Sequence, residues 1–144
     1  MKSIMSIGIK MLSVEEIKER LAPLYNMEGL ELVLLFGSCV SGKLHTKSDI
    51  DIAFLSNKPV DILAVTNKAI PLLGTDKVDV VNLKFASPLL KFSLAKRCII
   101  LYERYPGLFN SFFSLAFRRY IDTKKLREAQ SEAINDFLKE RKLI

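Results

Sequence analysis

Cysteine, histidine and long hydrophobic runs are scarce in this sequence, and their scarcity excludes several classes of protein. Two cysteines, Cys39 and Cys98, lie far apart in 144 residues and form no metal-ligand pattern, so we expect reduced thiols in a cytoplasmic protein. No apolar run approaches the roughly 18–20 residues that cross a membrane. Residues 1–12 contain Lys10 and no small-residue cleavage site follows, so we interpret them as a loose lead rather than a targeting segment. Repeats, low-complexity segments and linkers are also missing, which predicts a single domain over residues 1–144.

Apolar residues and basic residues, by contrast, are well represented. Apolar residues make up 49% of the chain, which is enough to bury a core. The chain has 22 Lys+Arg against 16 Asp+Glu, a net charge of +6. This balance favours an anionic partner such as a nucleotide, a nucleic acid or an acidic protein, although an ordinary basic cytosolic protein has the same composition.

Hydrophobic patterns predict an α/β (α+β) fold with about four strands in a small mixed sheet flanked by helices. Ser13 and Glu16 form a capping-box pattern, Gly74 is placed to end a helix, and Ser87-Pro88 is placed to begin one. The predicted strands are residues 31–36, 50–55, 77–83 and 98–102. The predicted helices are residues 14–25, with a disturbance at Pro23, 60–73, 88–96, and an extension over 106–144.

The informative motif is Gly37-Ser38 after an apolar strand, followed ten residues later by Asp49-Ile50-Asp51. Residues two apart in a strand point to the same face, so Asp49 and Asp51 are expected to project together. Asp79 is a lone carboxylate in the next apolar strand, and it reaches the same site if the two strands pair. Three carboxylates at one place would repel one another, and divalent cations with a preference for oxygen, such as Mg²⁺, relieve that repulsion. The motif therefore predicts a Mg²⁺ site, with two ions expected if all three carboxylates take part.

The first half of the motif suits a phosphate group. Gly37 permits close approach of the backbone, and Ser38 with the amides that follow it can donate hydrogen bonds to phosphate oxygens. Lys43 adds a positive charge. Taken singly, each of these features also fits a plain turn or a solvated strand end, and only their combination is specific.

The run GSCVSGKLHTKSDIDIAFL, with Asp79 in VDVVNL, resembles the minimal nucleotidyltransferase family of the DNA polymerase β-like superfamily. The resemblance covers the order of elements from about residue 14 to residue 120. It implies a cytoplasmic antitoxin that transfers AMP from ATP to a tyrosine hydroxyl of a partner toxin of the HEPN family. It also implies that the catalytic residues Asp49 and Asp51 bind metal, that Asp79 completes the site as a metal ligand or as a base, and that Gly37 and Ser38 hold triphosphate. The arginines common after Gly-Ser in the family are missing here, and Lys43 is the nearest cation.

Two rival functions remain open on the sequence alone. A non-catalytic antitoxin of the same fold would neutralise its partner by binding, and a transferase of the same fold could act on a small molecule or on RNA. No interleaving of arginines with aromatic residues supports a nucleic-acid partner.

The C-terminal extension carries an apolar stripe at helical spacing, formed by Leu126, Ala129, Ala133 and Phe137. Docking of this stripe on the chain's own domain is the first expectation. A second copy or a partner protein is the alternative. An aromatic stripe earlier in the same segment is expected to be core, with adenine stacking or a partner surface as alternatives; it comprises Phe109, Phe112, Phe113, Phe117 and Tyr120.

Overall fold

A four-stranded mixed sheet organises the chain in the computed structural model, which describes residues 12–37 and 49–142. The strands are β1 (Leu30–Phe36), β2 (Ile50–Ser56), β3 (Val78–Asn82) and β4 (Ile99–Glu103). The α-helices are α1 (Val14–Arg20), α2 (Ile62–Leu73), α3 (Pro88–Lys96) and α4 (Leu108–Glu140). Short 3₁₀ helices cover Ala22–Asn26 and Leu83–Phe85. The predicted fold class is confirmed.

The strands are arranged in the order β3-β2-β1-β4. β1 pairs antiparallel with both β2 and β4, whereas β2 and β3 pair in parallel, as a connection through helix α2 requires. The predicted adjacency of the second and third strands is therefore confirmed.

Helices cover both faces of the sheet because side chains alternate along β1 and β2. On the first face, Val33, Ile52 and Phe54 are fully buried in a cluster with residues of α1 and α2. On the second face, Leu34 and Ala53 are buried with residues of α3 and α4. The position of a side chain along either strand thus decides which pair of helices it meets.

Two of the helix boundaries that differ from the prediction have a clear local reason. The first helix ends at Arg20, because Pro23 occupies the first turn of a 3₁₀ helix that follows directly. The second helix begins at Ile62 rather than at residue 60, because the Asp61 side chain accepts a hydrogen bond from the amide of Leu63 and serves as N-cap. The caps at Ser13, Gly74 and Ser87 agree with the prediction.

Helix α4 has 33 residues, and its two halves have different environments. In the first half, the aromatic stripe packs against α3 and the sheet: Phe92 of α3 stacks on Tyr120 with ring centroids 4.5 Å apart. The expectation that this stripe is core is met in part, since Phe117 remains 48% exposed.

The second half of α4 is exposed to solvent. Leu126 is 57% and Phe137 is 50% exposed, and Ala129 and Ala133 are exposed as well. The expectation that this stripe docks on its own domain is therefore wrong. Helical spacing identifies an apolar face but not the surface that covers it.

Candidate active site

Three aspartates lie on one face of the sheet, at the end where β2 and β3 begin. Asp51 and Asp79 are partners in the parallel ladder between the two strands, so their side chains project in the same direction. Asp49 stands two residues before Asp51, directly ahead of the first residue of β2. The structure thus brings together the three carboxylates that the motif singles out.

The apolar neighbours of Asp51 fix its orientation. Ile50 and Ile52, on either side of it, are buried in the cluster beneath α1 and α2. Asp51 must therefore face the opposite side, which carries α3 and α4 but leaves this end of the sheet open enough for a half-buried carboxylate. Asp49 and Asp79 are exposed beside it.

The electrostatics of Asp51 reflect this crowding. Burial raises the pKa of the Asp51 carboxyl above its ordinary value, and the negative charges of Asp79 and Asp49 raise it further. An ionised Asp51 is thus destabilised by its surroundings. A bound cation would remove the penalty.

Gly37 directly follows the last residue of β1 and lies next to Asp51. Its φ is +78°, a left-handed conformation that glycine adopts readily. The preceding residue, Phe36, is the ladder partner of Asp51, and a Cβ placed on Gly37 would overlap the Asp51 Oδ2 atom. Glycine is therefore required here twice, by backbone conformation and by the carboxylate alongside.

The sequence predicts that Gly37 lets the backbone approach phosphate, but it does not predict the contact between Gly37 and Asp51. The fixed spacing between Gly37 and the aspartates hints at this contact, which itself depends on the antiparallel register of β1 and β2. Ser38 and Lys43, the other two predicted phosphate-binding residues, lie outside the described residues, as does Cys39, which is expected to be a reduced thiol. Their predicted roles stay predictions.

The site lies within a segment that matches a known family. The model of the family described as polymerase beta nucleotidyltransferase matches residues 15–106, which include all four strands and the three aspartates. The chain belongs to the polymerase beta nucleotidyltransferase family. This confirms the enzyme class predicted from the motif.

Individual relatives of this nucleotidyltransferase are similar to it over 45% to 90% of its length. A protein adenylyltransferase MntA from Aphanizomenon flos-aquae is 29% identical over 142 residues, covering 90% of this chain and 95% of the relative. A protein adenylyltransferase MntA from Shewanella oneidensis is 41% identical over 68 residues, covering 45% of this chain and 48% of the relative. A crystal structure of a toxin-antitoxin with AMP-PNP superposes with a TM-score of 0.70 at 27% identity, covering 85% of this chain and 98% of that chain.

The described part of this nucleotidyltransferase contains no helix that is both long and apolar enough to cross a membrane. Helix α4 has the length but not the composition, because its outer half is rich in charged residues.

Proposed function

We propose that this chain is a protein adenylyltransferase that transfers AMP from ATP to a hydroxyl of a HEPN-type toxin, for which it is the antitoxin. The observation that carries the proposal is the in-register pair Asp51 and Asp79, with Asp49 on the same face and Gly37 against Asp51. The names of the relatives support the acceptor class, since both are protein adenylyltransferases. A structural neighbour with AMP-PNP supports an adenine nucleotide as the substrate.

The carboxylates fit Mg²⁺ as the metal of this reaction. Among residues 12–37 and 49–142, no group of three or more His, Cys, Asp or Glu side chains is placed to hold a metal ion by itself. Mg²⁺ is usually held by one or two carboxylates together with substrate phosphates and water, so a complete protein cage is not needed. The raised pKa of Asp51, which is partly buried beside two like charges, supports a cation at this point. We infer that Asp49, Asp51 and Asp79 would hold the ion, which supplies neutralisation of triphosphate charge when it is bound.

The transfer itself is an in-line displacement at the α-phosphate of ATP. The acceptor oxygen forms a bond to the α-phosphorus, the bond between this phosphorus and the α,β-bridging oxygen breaks, and pyrophosphate leaves with that oxygen. The hydroxyl proton must go to a base, and Asp79 is the candidate because it is exposed beside Asp51 on the open face. The remaining task of the protein is to position the reactants, with Gly37, Ser38 and Lys43 proposed at the triphosphate.

Labelling with α-³²P ATP tests the proposal. The purified chain, Mg²⁺ and the protein encoded by the neighbouring gene are incubated together, and label on the partner is measured. We expect the Asp49→Asn/Asp51→Asn double variant to label at least about 100-fold more slowly, because preorganised charge contributes on this scale. The matched control is Asp122→Asn/Asp136→Asn, which removes two exposed carboxylates of α4 and should label like the wild type.

The same experiment separates catalysis from neutralisation by binding alone. If no label appears on the partner and both forms of the chain still neutralise it, the enzymatic proposal is overturned in favour of a binding antitoxin. Label on the partner that survives in the double variant would exclude Asp49 and Asp51 as active-site residues.

A further inference from the structure

A groove opens on the same sheet face as the three aspartates, toward the opposite end of the strands. It has a volume of about 410 Å³ and lies between β2, α3 and α4. Apolar side chains form its floor, and one of them, Leu115, is 43% exposed. The residues that line the groove include Leu55, Leu108, Phe112, Leu115, Lys91 and Arg119.

The wall of the groove is positively charged and lacks matching acids. Lys84, Lys91 and Arg119 line it, against the single acid Glu31. In the described chain the one ion pair within 4 Å is Lys58 with Glu28, so none of the three cations has a carboxylate partner. Burial lowers the pKa of Lys91, and the neighbouring charge of Arg119 lowers it further. Two cations are therefore held together without compensation, which favours a negatively charged ligand.

The groove is close to the proposed active site. Leu55 and Asp51 lie on the same face of β2, four residues apart, which corresponds to about 13 Å along a strand. An extended polypeptide in the groove would therefore need only about four residues to reach the aspartates.

We propose that this groove binds an acidic peptide segment with apolar side chains, carried by the protein acceptor, and so positions the acceptor hydroxyl at Asp49, Asp51 and Asp79. The proposal rests on the proposed function, since it assumes a protein acceptor. The enzyme would then recognise this acidic segment of the acceptor in addition to the hydroxyl. The net charge of +6 gives the same complementarity over longer range, which speeds encounter with an acidic partner.

The floor of the groove favours a peptide over a nucleic acid. Leu55, Leu108 and Phe112 offer apolar surface with no hydrogen-bonding groups, which suits aliphatic or aromatic side chains. Glu31 in the wall would repel a phosphate backbone, which carries a negative charge at every nucleotide. A peptide can place a neutral residue beside Glu31, because its charged residues are separated by neutral ones. Nucleic-acid binding is accordingly an outcome of the test that would overturn the proposal.

The test compares the double variant Lys91→Glu/Arg119→Glu with the control Lys124→Glu/Lys139→Glu. Both reverse two charges, but Lys124 and Lys139 are exposed on the outer half of α4, away from the groove. Acceptor labelling is measured as kcat and KM. We expect KM for the acceptor to rise about tenfold or more in the groove variant alone, with kcat at saturating acceptor and the affinity for ATP unchanged. A milder pair, Lys91→Gln/Arg119→Gln, should raise KM by a smaller factor, and melting temperatures verify that each variant folds.

Binding without ATP tests the groove independently of catalysis. A short fluorescein-labelled peptide of glutamates and leucines, its glutamine counterpart and an oligoadenylate serve as probes. The acidic peptide should bind the wild type and the control, and should bind the groove variant at least about tenfold more weakly. The proposal would be overturned if the groove variant and the control variant bound the acceptor and the acidic peptide equally well. It would also be overturned if the wild type bound oligoadenylate more tightly than the acidic peptide and the groove variant lost that preference. If the wild type labels nothing, the proposed function fails, while the peptide measurement still decides on the groove.

Discussion

Replacing Gly37 with alanine should lower the free energy of unfolding by more than an ordinary substitution of a left-handed glycine, because the new Cβ meets the carboxylate of Asp51. Gly37 has a φ of +78°, and an added Cβ would overlap Asp51 Oδ2 and lie 3.1 Å from Asp51 Cγ. The Asp51 side chain must move to make room. We therefore expect the substitution to affect stability and transfer together.

The size of the effect follows from two contributions. A non-glycine residue in the left-handed region costs about 1–2 kcal/mol. Forcing a side chain such as Asp51 away from its rotamer costs about 0.5–1.5 kcal/mol more. The free energy of unfolding should thus fall by about 1.5–3.5 kcal/mol, which lowers the Tm by about 5–12 °C in a chain of this size. Transfer should slow by about 100-fold, because misplacing a reacting group by about 1 Å has that consequence.

Gly74→Ala provides a matched control for the strain alone. Gly74 has a φ of +72°, but the nearest atom to its added Cβ is Arg20 Nη1 at 3.7 Å, an ordinary contact. Calorimetry should show a smaller loss of Tm for Gly74→Ala than for Gly37→Ala. In an Asp51→Ala background, which removes the overlapping atoms, the cost of Gly37→Ala should fall to that of Gly74→Ala. Strict additivity of the Gly37 and Asp51 substitutions would refute the reasoning.

Three further perturbations have defined outcomes. Since the pKa of Asp51 is raised in the folded chain, ionisation of Asp51 destabilises the fold as the pH rises through that pKa. In EDTA, Asp51→Asn should therefore be more stable than the wild type at pH 7. The expected difference in the free energy of unfolding is about 0.2–1 kcal/mol, the range for facing charged pairs such as Asp51 and Asp79. Thermal melts should show this difference vanish below about pH 4, where Asp51 is protonated in both states. Ser13→Ala breaks the capping box with Glu16 and should lower the free energy of unfolding by about 1 kcal/mol in urea titrations; an unchanged midpoint would exclude a role for the cap. Truncation after Thr123 removes an almost fully exposed stretch of helix, so calorimetry should find the Tm within about 2 °C of the intact chain, and a larger drop would mean that this stretch is buried.

The helix ends of this fold could be predicted well where the residue at the end has a well-known capping role. Ser13 and Ser87 cap helices because their hydroxyls accept amide hydrogen bonds, and Gly74 ends a helix because it adopts a left-handed φ. Asp61 was missed as a cap because the apolar Val60 beside it continued the helical pattern.

The sequence predicts which aspartates lie near one another, but it does not predict how they align across the strands. The sequence indicated that Asp51 and Asp79 occupy neighbouring strands, but their direct pairing depends on how the buried residues Ile52 and Val80 align across the ladder. The contact between Gly37 and Asp51 likewise depends on pairing between β1 and β2. Such registers are set by three-dimensional packing, which spacing along the chain does not contain.

The exposed outer half of α4 also determines how the protein behaves hydrodynamically. Residues 122–140 extend for about 28 Å as a helix, whereas a compact chain of 144 residues has a radius of gyration of only about 14–15 Å. A molecule with such an arm experiences more friction than a sphere of equal mass, so it elutes early from a sizing column and sediments slowly. Its mass in solution, alone or with a partner, is therefore obtained correctly from light scattering or sedimentation equilibrium, which do not depend on shape.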